Sequence, residues 1–210
     1  AQQYARCIQH VRAEFPSIQF QFSMQTNGTF FFLVYLSLFK KYEIHVGVSL
    51  DGAREIHDGQ RRDCLGKGTY ERVMDNIRVL QAHEIPVAAL MVVTKPALRA
   101  DLSFLRELDT MGLPLKINPL LNLGEAARHP ELALHPGDYS SYLIRVFEYA
   151  LENRLSIRLS PLSELMNAII ADKRPSGCIY NPQCCRDFLC VDHNGSLYPC
   201  GRFADVHANA

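Results

Sequence analysis

Residues 86–94 read PVAALMVVT, and every position between Pro86 and Thr94 is aliphatic or methionine. An unbroken apolar run of this kind is typical of a strand that is buried on both faces of a parallel sheet. Further runs with β character are residues 18–24 (IQFQFSM), 44–50 (IHVGVSL) and 113–121 (LPLKINPLL). Helical patterns separate these runs, and strands that alternate with helices form βαβ units. The sequence therefore predicts an α/β fold with a parallel sheet.

The segments between the strands carry start and stop signals for helices. Thr69, Asp101 and Asp138 are each suited to an N-cap, and Gly112 is suited to the end of the second helix. The helix after Thr69 has apolar residues at helical spacing, namely Tyr70, Val73, Ile77 and Leu80. Further along the chain, residues 155–160 (LSIRLS) predict a fifth strand and residues 163–171 a short helix.

Composition excludes several classes of protein. Among 210 residues, 22 are Lys or Arg, 22 are Asp or Glu and 48% are apolar, which is typical of a globular chain and not of a disordered one. The zero net charge argues against a nucleic-acid partner. Residues 30–39 (FFFLVYLSLF) are about half as long as a membrane helix needs, so they predict a buried helix and no membrane partner. Without a signal-like start, we expect a cytoplasmic location.

The cysteines cluster near the end of the chain. There are seven, and the five between residues 178 and 200 suggest metal or iron–sulfur ligation because soft thiolates suit those centres. For Cys7 and Cys64 we expect the common fate of a free cysteine, which is burial as a small apolar side chain. Asn194-Gly195 lies between residues 188–191 and 196–198 and predicts a β-hairpin, which would bring Cys185 or Cys190 near Cys200.

Polar residues follow three predicted strands, at the edge where parallel strands place their chemistry. These are residues 25–28 (QTNG), residues 49–52 (SLDG) with His57, Asp58 and Arg61, and Thr94. Each also has an ordinary structural role: Asn-Gly and Asp-Gly are common turn dipeptides, Asp58 can bond nearby backbone, and Arg61 can be a solvated charge. Residues 66–69 (GKGT) lack a phosphate-loop pattern and predict a turn before the helix.

The order and spacing of these segments resemble a known family. Residues 25–28 (QTNG), 46–52 (VGVSLDG), 57–61 (HDGQR) and 66–70 (GKGTY) resemble the middle of a radical S-adenosylmethionine (radical SAM) enzyme. Residues 191–200 (VDHNGSLYPC) resemble the start of a SPASM auxiliary-cluster domain. Together they resemble, over residues 15–203, the group that contains anaerobic sulfatase maturases and peptide maturases.

The resemblance implies a partial (β/α)6 barrel, later strands only, in residues 1–154, then a linker and the start of a SPASM domain in residues 155–210. In the family, a [4Fe–4S] cluster on a CxxxCxxC loop reduces S-adenosylmethionine, and the resulting 5′-deoxyadenosyl radical abstracts a hydrogen atom from a peptide or protein side chain. Neither CxxxCxxC nor the family's Gly-Gly-Glu motif occurs in this sequence. We therefore expect a fragment that cannot cleave S-adenosylmethionine by itself.

The resemblance also implies roles for individual residues. Ser49 and Arg61 correspond to positions that contact the ribose and carboxylate of S-adenosylmethionine, and Gln25 and Asn27 to rim positions near cofactor and substrate. The implied ligands of the first auxiliary [4Fe–4S] cluster are Cys178, Cys185 and Cys200. A fourth ligand would lie beyond residue 210. The implied partners are a peptide or protein substrate and a reductant such as flavodoxin or ferredoxin.

Some assignments within the cysteine cluster stay open. Cys184 competes with Cys185 as a ligand, and the hairpin register favours Cys185. Cys190 lies in a predicted strand and has no matching family ligand, so we interpret it as a packing residue. Sulfatase maturases carry a catalytic Asp directly after the cysteine that matches Cys200, whereas this chain has Gly201. The difference favours a maturase of ribosomally made peptides.

Two other functions compete with this interpretation. The cysteines of residues 178–200 could form a zinc-binding interaction module, since thiolates close tetrahedral zinc sites readily. Alternatively, a barrel hydrolase or isomerase could use His57 and Asp58 as acid and base. Adjacent residues on a strand point to opposite faces, so that pair would need a loop to converge.

Overall fold

The computed structural model describes residues 2–30, 33–175, 177 and 180–203. Short 3-10 helices in these ranges include Lys95–Arg99, Gly124–Arg128 and Pro130–Leu132. The α-helices of the described residues are α1 Gln2–Glu14, α2 Leu33–Tyr42, α3 Arg54–Gln60, α4 Tyr70–Ala82, α5 Phe104–Thr110, α6 Asp138–Glu152, α7 Leu162–Ile170 and α8 Cys184–Asp187.

Five parallel strands form the main sheet in chain order, β1-β2-β3-β4-β5. A short antiparallel hairpin, β6-β7, follows in the Cys-rich segment. The strands are β1 Ser23–Thr26, β2 His45–Ser49, β3 Val87–Val93, β4 Leu115–Pro119, β5 Leu159–Ser160, β6 Cys190–Val191 and β7 Leu197–Tyr198. The predicted α/β class with a parallel sheet is confirmed. Because every neighbouring pair is parallel and sequential, each strand returns to the same edge through a crossover, which is the arrangement of a barrel wall.

The two faces of the sheet differ in burial. Val48, Ala89 and Leu115 lie in register on adjacent strands and are at most 1% exposed. Helix α4 belongs to the same core and brings its Val73, Ile77 and Leu80, all fully buried, as its helical spacing predicted. The alternate residues of the strands form the opposite face, which we call the open face. Its members include Gln25, Gly47, Ser49, Leu90, Lys116 and Asn118.

The first and fifth strands are shorter than predicted. β1 begins at Ser23 and not at residue 18, because ladder pairing starts only where the His45 amide bonds the Phe22 carbonyl. Before that point Phe20 packs its ring on Phe15 and Phe22. β5 begins at Leu159 and not at residue 155, because Asp109 Oδ1 accepts the amides of residues 156 and 157 at 2.7 and 2.9 Å. The predicted domain boundary after residue 154 stays a prediction. Strand β5 lies after that boundary in the chain but belongs to the main sheet.

The predicted N-caps of three helices need correction. Thr69 precedes α4, but its hydroxyl makes no capping bond, and Asp58 Oδ1 accepts the Tyr70 amide instead, at 2.8 Å. Helix α5 starts at Phe104 and not directly after Asp101, whose carboxylate accepts from the Ser103 hydroxyl. Asp138 is the first residue of α6, after Gly137, and its Oδ2 accepts the His135 amide.

Helix α2 buries one face, as the apolar run of residues 30–39 predicted, but Phe30 at the start of that run is 65% exposed. Leu36, Leu38 and Phe39 are 6%, 7% and 2% exposed. None of the helices in the described ranges is long and apolar enough to cross a membrane.

Candidate functional site

The edge of the sheet after β2 is built around a buried carboxylate, Asp51, which is 2% exposed. Its Oδ2 accepts from Arg61 Nε at 2.6 Å, and its Oδ1 accepts the Val92 amide at 3.0 Å. The carboxylate thus fixes the Arg61 guanidinium and ties the β2 loop to β3. Arg61 Nη1 has no partner among the described residues, so one edge of the guanidinium stays available to a ligand.

His57 is fully buried beneath this carboxylate. Its Nδ1 accepts the Asp51 amide at 3.1 Å, and its Nε2 lies 3.0 Å from Thr69 Oγ1. The Thr69 hydroxyl donates to the Arg61 carbonyl, so it accepts from His57 Nε2–H, and these bonds require the neutral Nε2–H tautomer. Burial lowers the pKa of His57, against the opposing effect of the Asp51 charge. His57 therefore acts as a neutral brace between two loops.

Asp58 and Gly68 form one compact turn in front of α4. A Cβ at position 68 would stand 2.2 Å from Asp58 Cγ, so only glycine fits there. The carboxylate that needs this space caps the first amide of α4 through Tyr70. The turn before the helix lies at residues 63–66 and only overlaps the predicted 66–69, because the Gly66 amide bonds the Asp63 carbonyl and Gly68 forms a β-bridge with Arg62.

The loop after β1 is held by its own turn and by α4. Asn27 Oδ1 accepts the amide and the hydroxyl of Thr29 at 3.2 and 3.0 Å. Gly28 has φ +71°, and a Cβ there would lie 2.5 Å from Val48, so the backbone needs glycine on both grounds. Asn76 donates to the Gly28 carbonyl at 2.7 Å. The exposed Asn27 side chain therefore has a turn-forming role, whatever it binds in addition.

The predicted cofactor residues of strands β1 and β2 lie on the same face. Gln25 pairs with Gly47, and Ser49 is two residues further along β2, so both side chains project on the open face. Gln25 is exposed and Ser49 is 6% exposed. Among the described residues, none hydrogen-bonds to the Ser49 hydroxyl. Arg61 follows at the carboxyl end of this strand pair, held by Asp51.

A cavity of about 510 Å³, here called the β4–β5 cavity, opens at the carboxyl ends of β4 and β5. It is lined by the main sheet, by α6 and α7 and by the Cys-rich segment. The lining side chains with polar groups include Lys116, Asn118, Tyr139, Glu164, Tyr180 and Arg202. Burial is the largest influence on the pKa of Glu164 and opposes its ionisation, but hydrogen bonds from Arg158, the Glu164 amide and Ser160, together with the charge of Arg158, outweigh it and lower the pKa. Glu164 is therefore an anion whose charge Arg158 balances.

Comparison with known proteins identifies relatives. The chain is 31% identical over 186 residues to the cysteine-type anaerobic sulfatase-maturating enzyme of Clostridium novyi and 32% identical to that of Clostridium perfringens, each match covering 85% of this chain and 49% of the relative. This chain is homologous to the anaerobic sulfatase-maturating enzymes of the radical SAM family. The chain spans about half the length of these curated relatives. No protein-family model matches the sequence.

Solved structures of sulfatase-maturating enzymes share the fold. The anaerobic sulfatase-maturating enzyme anSMEcpe with bound AdoMet and the Cp18Cys peptide superposes with a TM-score of 0.79 at 24% identity, over 96% of this chain and 57% of that one. The same enzyme with AdoMet alone gives 0.80 at 24% identity, over 97% and 55%. The likeness shows that the parallel sheet and its helices share the fold of these solved structures.

Of the three predicted cluster ligands, the structure describes Cys200 in full. Cys178 lies outside the described residues, and only the backbone of Cys185 is described, in α8. Cys200 is a half-buried free thiol that follows β7. The predicted hairpin is confirmed, with Cys190 opposite Tyr198 and Gly195 at φ +85°. Within the described part of the chain, no three His, Cys, Asp or Glu side chains group around a possible metal position.

One prediction for other side chains is wrong, and one competing interpretation is excluded. Cys7 and Cys64 are exposed and not buried, because they lie on a half-solvated helix and in the turn before α4. The acid–base pair His57 and Asp58 does not form: both ring nitrogens of His57 are bonded in the interior, and Asp58 caps α4. This arrangement removes the hydrolase interpretation.

Sequence reasoning did not find the role of Asp51, which it treated as part of an Asp-Gly turn. The signal was an acid directly after a strand and a base ten residues later, at the end of a short helix. Lys116, Glu164 and Arg202 were also missed, because they are brought together only by the fold.

Proposed function

We propose that this chain is part of a radical SAM maturase that modifies a side chain of a peptide or protein. The observation that supports this most directly is that Gln25 and Ser49 share the open face, while Arg61, which follows β2 in the chain, is held by the buried Asp51. These residues lie in a chain homologous to sulfatase-maturating enzymes. Those relatives are enzymes, and one solved structure of the family holds AdoMet together with a peptide.

The donor set fits S-adenosylmethionine. In our proposal, the free Nη1 edge of Arg61 pairs with the cofactor's carboxylate, and the Ser49 hydroxyl bonds its ribose. Arg61 is preorganised because the buried Asp51 holds the other edge of the guanidinium at 2.6 Å. A charge-assisted bond from a fixed guanidinium loses less entropy than one from a mobile side chain. Gln25 and Asn27 complete the rim at β1.

The bound cofactor, when reduced by an iron–sulfur cluster, supplies the radical that abstracts hydrogen. This chain contributes orientation and exclusion of water, which is the usual share of the protein in such chemistry. We propose Cys178, Cys185 and Cys200 as ligands of an auxiliary [4Fe–4S] cluster, since thiolates suit iron. A flavodoxin or ferredoxin is the proposed electron donor.

We further propose that the substrate is a ribosomally made peptide rather than a sulfatase. The support is Gly201, which stands where sulfatase maturases carry an Asp. The names of the matched relatives favour the sulfatase alternative. A Cβ at position 201 would lie 3.6 Å from Cys190 Sγ, an ordinary contact, so Gly201→Asp is sterically possible. Anaerobic assays of the full-length protein on a sulfatase peptide, with and without this substitution, compare the two substrates.

The test of the radical SAM function uses the full-length protein, reconstituted with iron and sulfide without oxygen. We expect 5′-deoxyadenosine to form from S-adenosylmethionine, and Arg61→Gln to weaken cofactor binding about tenfold, as loss of one charge-assisted bond predicts. Arg106→Gln, on the exposed face of α5, is the matched control and should leave binding unchanged. A fully loaded protein that forms no 5′-deoxyadenosine would refute the proposal. Zinc without iron in anaerobically purified protein would support the zinc-module alternative.

A further inference from the structure

The β4–β5 cavity has an unbalanced charge. Its carboxylate, Glu164, is paired through Oε1 with Arg158, while its buried Oε2 has no hydrogen-bond partner among the described residues. Its two cations, Lys116 and Arg202, form no ion pair or hydrogen bond through their side chains with any described residue. After the Glu164–Arg158 pair is set aside, the lining carries two uncompensated positive charges. A cavity of this kind attracts an anionic ligand, because partly enclosed walls strengthen the field of their charges.

The rest of the lining suits a peptide more than an inorganic anion. Tyr139 and Tyr180 present ring surface, and the volume of about 510 Å³ is within the range of ligand pockets. The Tyr139 hydroxyl is already committed to the Ile117 carbonyl at 2.7 Å. Burial, with the neighbouring Glu164, raises the pKa of Tyr180, so its hydroxyl remains a donor. Apolar surface with donors and cations fits a chain segment that has both carboxylates and apolar groups.

The cavity also lies close to the proposed cofactor residues. One row of the open face runs from Ser49 through Leu90 to Lys116 and Ser160. Ser49 and Lys116 are therefore two strands apart, about 10 Å at the usual strand spacing. A ligand held by Lys116 would lie beside, and not on, a cofactor held by Ser49 and Arg61. Neither Ser49 nor Arg61 lines the cavity.

From this juxtaposition we propose that the β4–β5 cavity binds an acidic segment of the peptide substrate, whose carboxylates pair with Lys116 and Arg202. The inference rests on the proposed maturase function and specifies its substrate class. The two cations come from different parts of the chain, Lys116 from β4 and Arg202 from the Cys-rich segment after β7. Substrate recognition would thus need both parts to be in place.

The test measures the binding of peptides to the purified full-length protein by fluorescence anisotropy. The probes are two labelled 15-residue peptides of alternating Leu, Gly and Glu residues, the second with every Glu replaced by Gln. We expect the acidic peptide to bind at least tenfold more tightly, and added salt to reduce the difference. Lys116→Met and Arg202→Met should each weaken acidic binding about tenfold, while Arg106→Met, a matched exposed cation, should have no effect.

Several outcomes would overturn the inference. These are equal binding of the two peptides, no measurable binding of the acidic peptide, or equal losses from Arg106→Met and the cavity variants. Displacement of the acidic peptide by excess S-adenosylmethionine would also overturn it, because the cavity would then belong to the cofactor. Formation of 5′-deoxyadenosine is assayed separately. If the enzyme forms 5′-deoxyadenosine but binds both peptides equally, only this inference is refuted. If it forms no 5′-deoxyadenosine but binds the acidic peptide more tightly, only the proposed function is refuted.

Discussion

The rim after β2 and the β6-β7 hairpin both carry residues proposed to bind cofactors, but their positions are fixed in different ways. At the rim, Asp51 and His57 are buried and bonded to backbone and side chains of three neighbouring segments. In the hairpin, each strand has two residues, and Leu189 and Leu197 are 69% and 62% exposed. The rim is preorganised by bonds within this chain, whereas the hairpin has little core of its own.

This difference suggests that the two regions depend on ligands to different degrees. A rim held by internal bonds keeps its geometry before the cofactor arrives. A hairpin with exposed apolar side chains gains most of its order from whatever binds or covers it, which is the usual behaviour of small metal-bound segments. The following predictions test the contrast, from the largest expected effect to the smallest.

Asp51→Ala should cause the largest loss of stability. The substitution leaves the Val92 amide without its acceptor and Arg61 without its counter-ion. We expect the free energy of unfolding to fall by about 3 kcal/mol. This value is the lower end for a broken buried ion pair, because the Arg61 side chain is 30% exposed. Urea denaturation measures it. Asp192→Ala in the hairpin, where the carboxylate is near the surface, should cost much less. Equal losses would contradict the contrast.

The rim should also be sensitive to acid through His57. Its pKa is lowered in the folded state, so the unfolded chain takes up the proton first and stability falls as pH drops below about 6.5. The slope should reach at most about 1.4 kcal/mol per pH unit until the folded pKa is passed. Urea midpoints between pH 5 and 7.5 measure this. In His57→Gln the slope should be smaller.

Gly68→Ala should displace the Asp58 carboxylate from the amide of Tyr70, because the new Cβ would overlap Asp58. Loss of such a cap typically costs about 1 kcal/mol. Gly59→Ala is the matched control, since Gly59 lies in α3 with open space around it and should be neutral or stabilising by about 0.5 kcal/mol. Thermal or urea unfolding compares the two variants. A tolerated Gly68→Ala would show that the cap contributes little.

The smallest effects are expected at two exposed turns, one in each region. Asn27 Oδ1 accepts the Thr29 amide, and Asn194 Oδ1 accepts the Ser196 amide. Either residue changed to Ala should alter the free energy of unfolding by about 0.5 kcal/mol or less, since both sites are solvated. The two variants should therefore be alike in urea. A much larger loss at Asn27 would indicate that the rim is stabilised well beyond its buried centre.

The central strands were predictable because burial dictates their composition. β2, β3 and β4 lie within or close to the runs at 44–50, 86–94 and 113–121. The edge strands were predicted, but their bounds were not, since a run such as LSIRLS has β character whether its amides pair with a strand or, as for residues 156 and 157, with the Asp109 carboxylate. Local composition does not record which acceptor a backbone amide finds.

The rim illustrates the same limit at the level of the site. Its position after the strands followed from topology, and the side chains Gln25 and Ser49 do share a face. The hydrogen bonds of His57 to the Asp51 amide and to the Thr69 hydroxyl were not predictable from the sequence. A turn, a short helix and a loop separate these residues, so only the folded chain brings them together. The interpretation of His57 and Asp58 as a reactive pair is excluded, because His57 is buried and bonded through both ring nitrogens and Asp58 caps α4.

The strict alternation of buried and open positions along β2 has a consequence for how this chain can change in evolution. A substitution alters one side chain. In contrast, the loss or gain of a single residue between positions 45 and 50 would move every following side chain of the strand to the opposite face of the sheet. Val48 would then face outward and Ser49 the helices, and the loop carrying Asp51 would leave its partners on β3. Length variation should therefore be confined to the connections after β4 and around α7, which leave the strand pairing at β2 untouched.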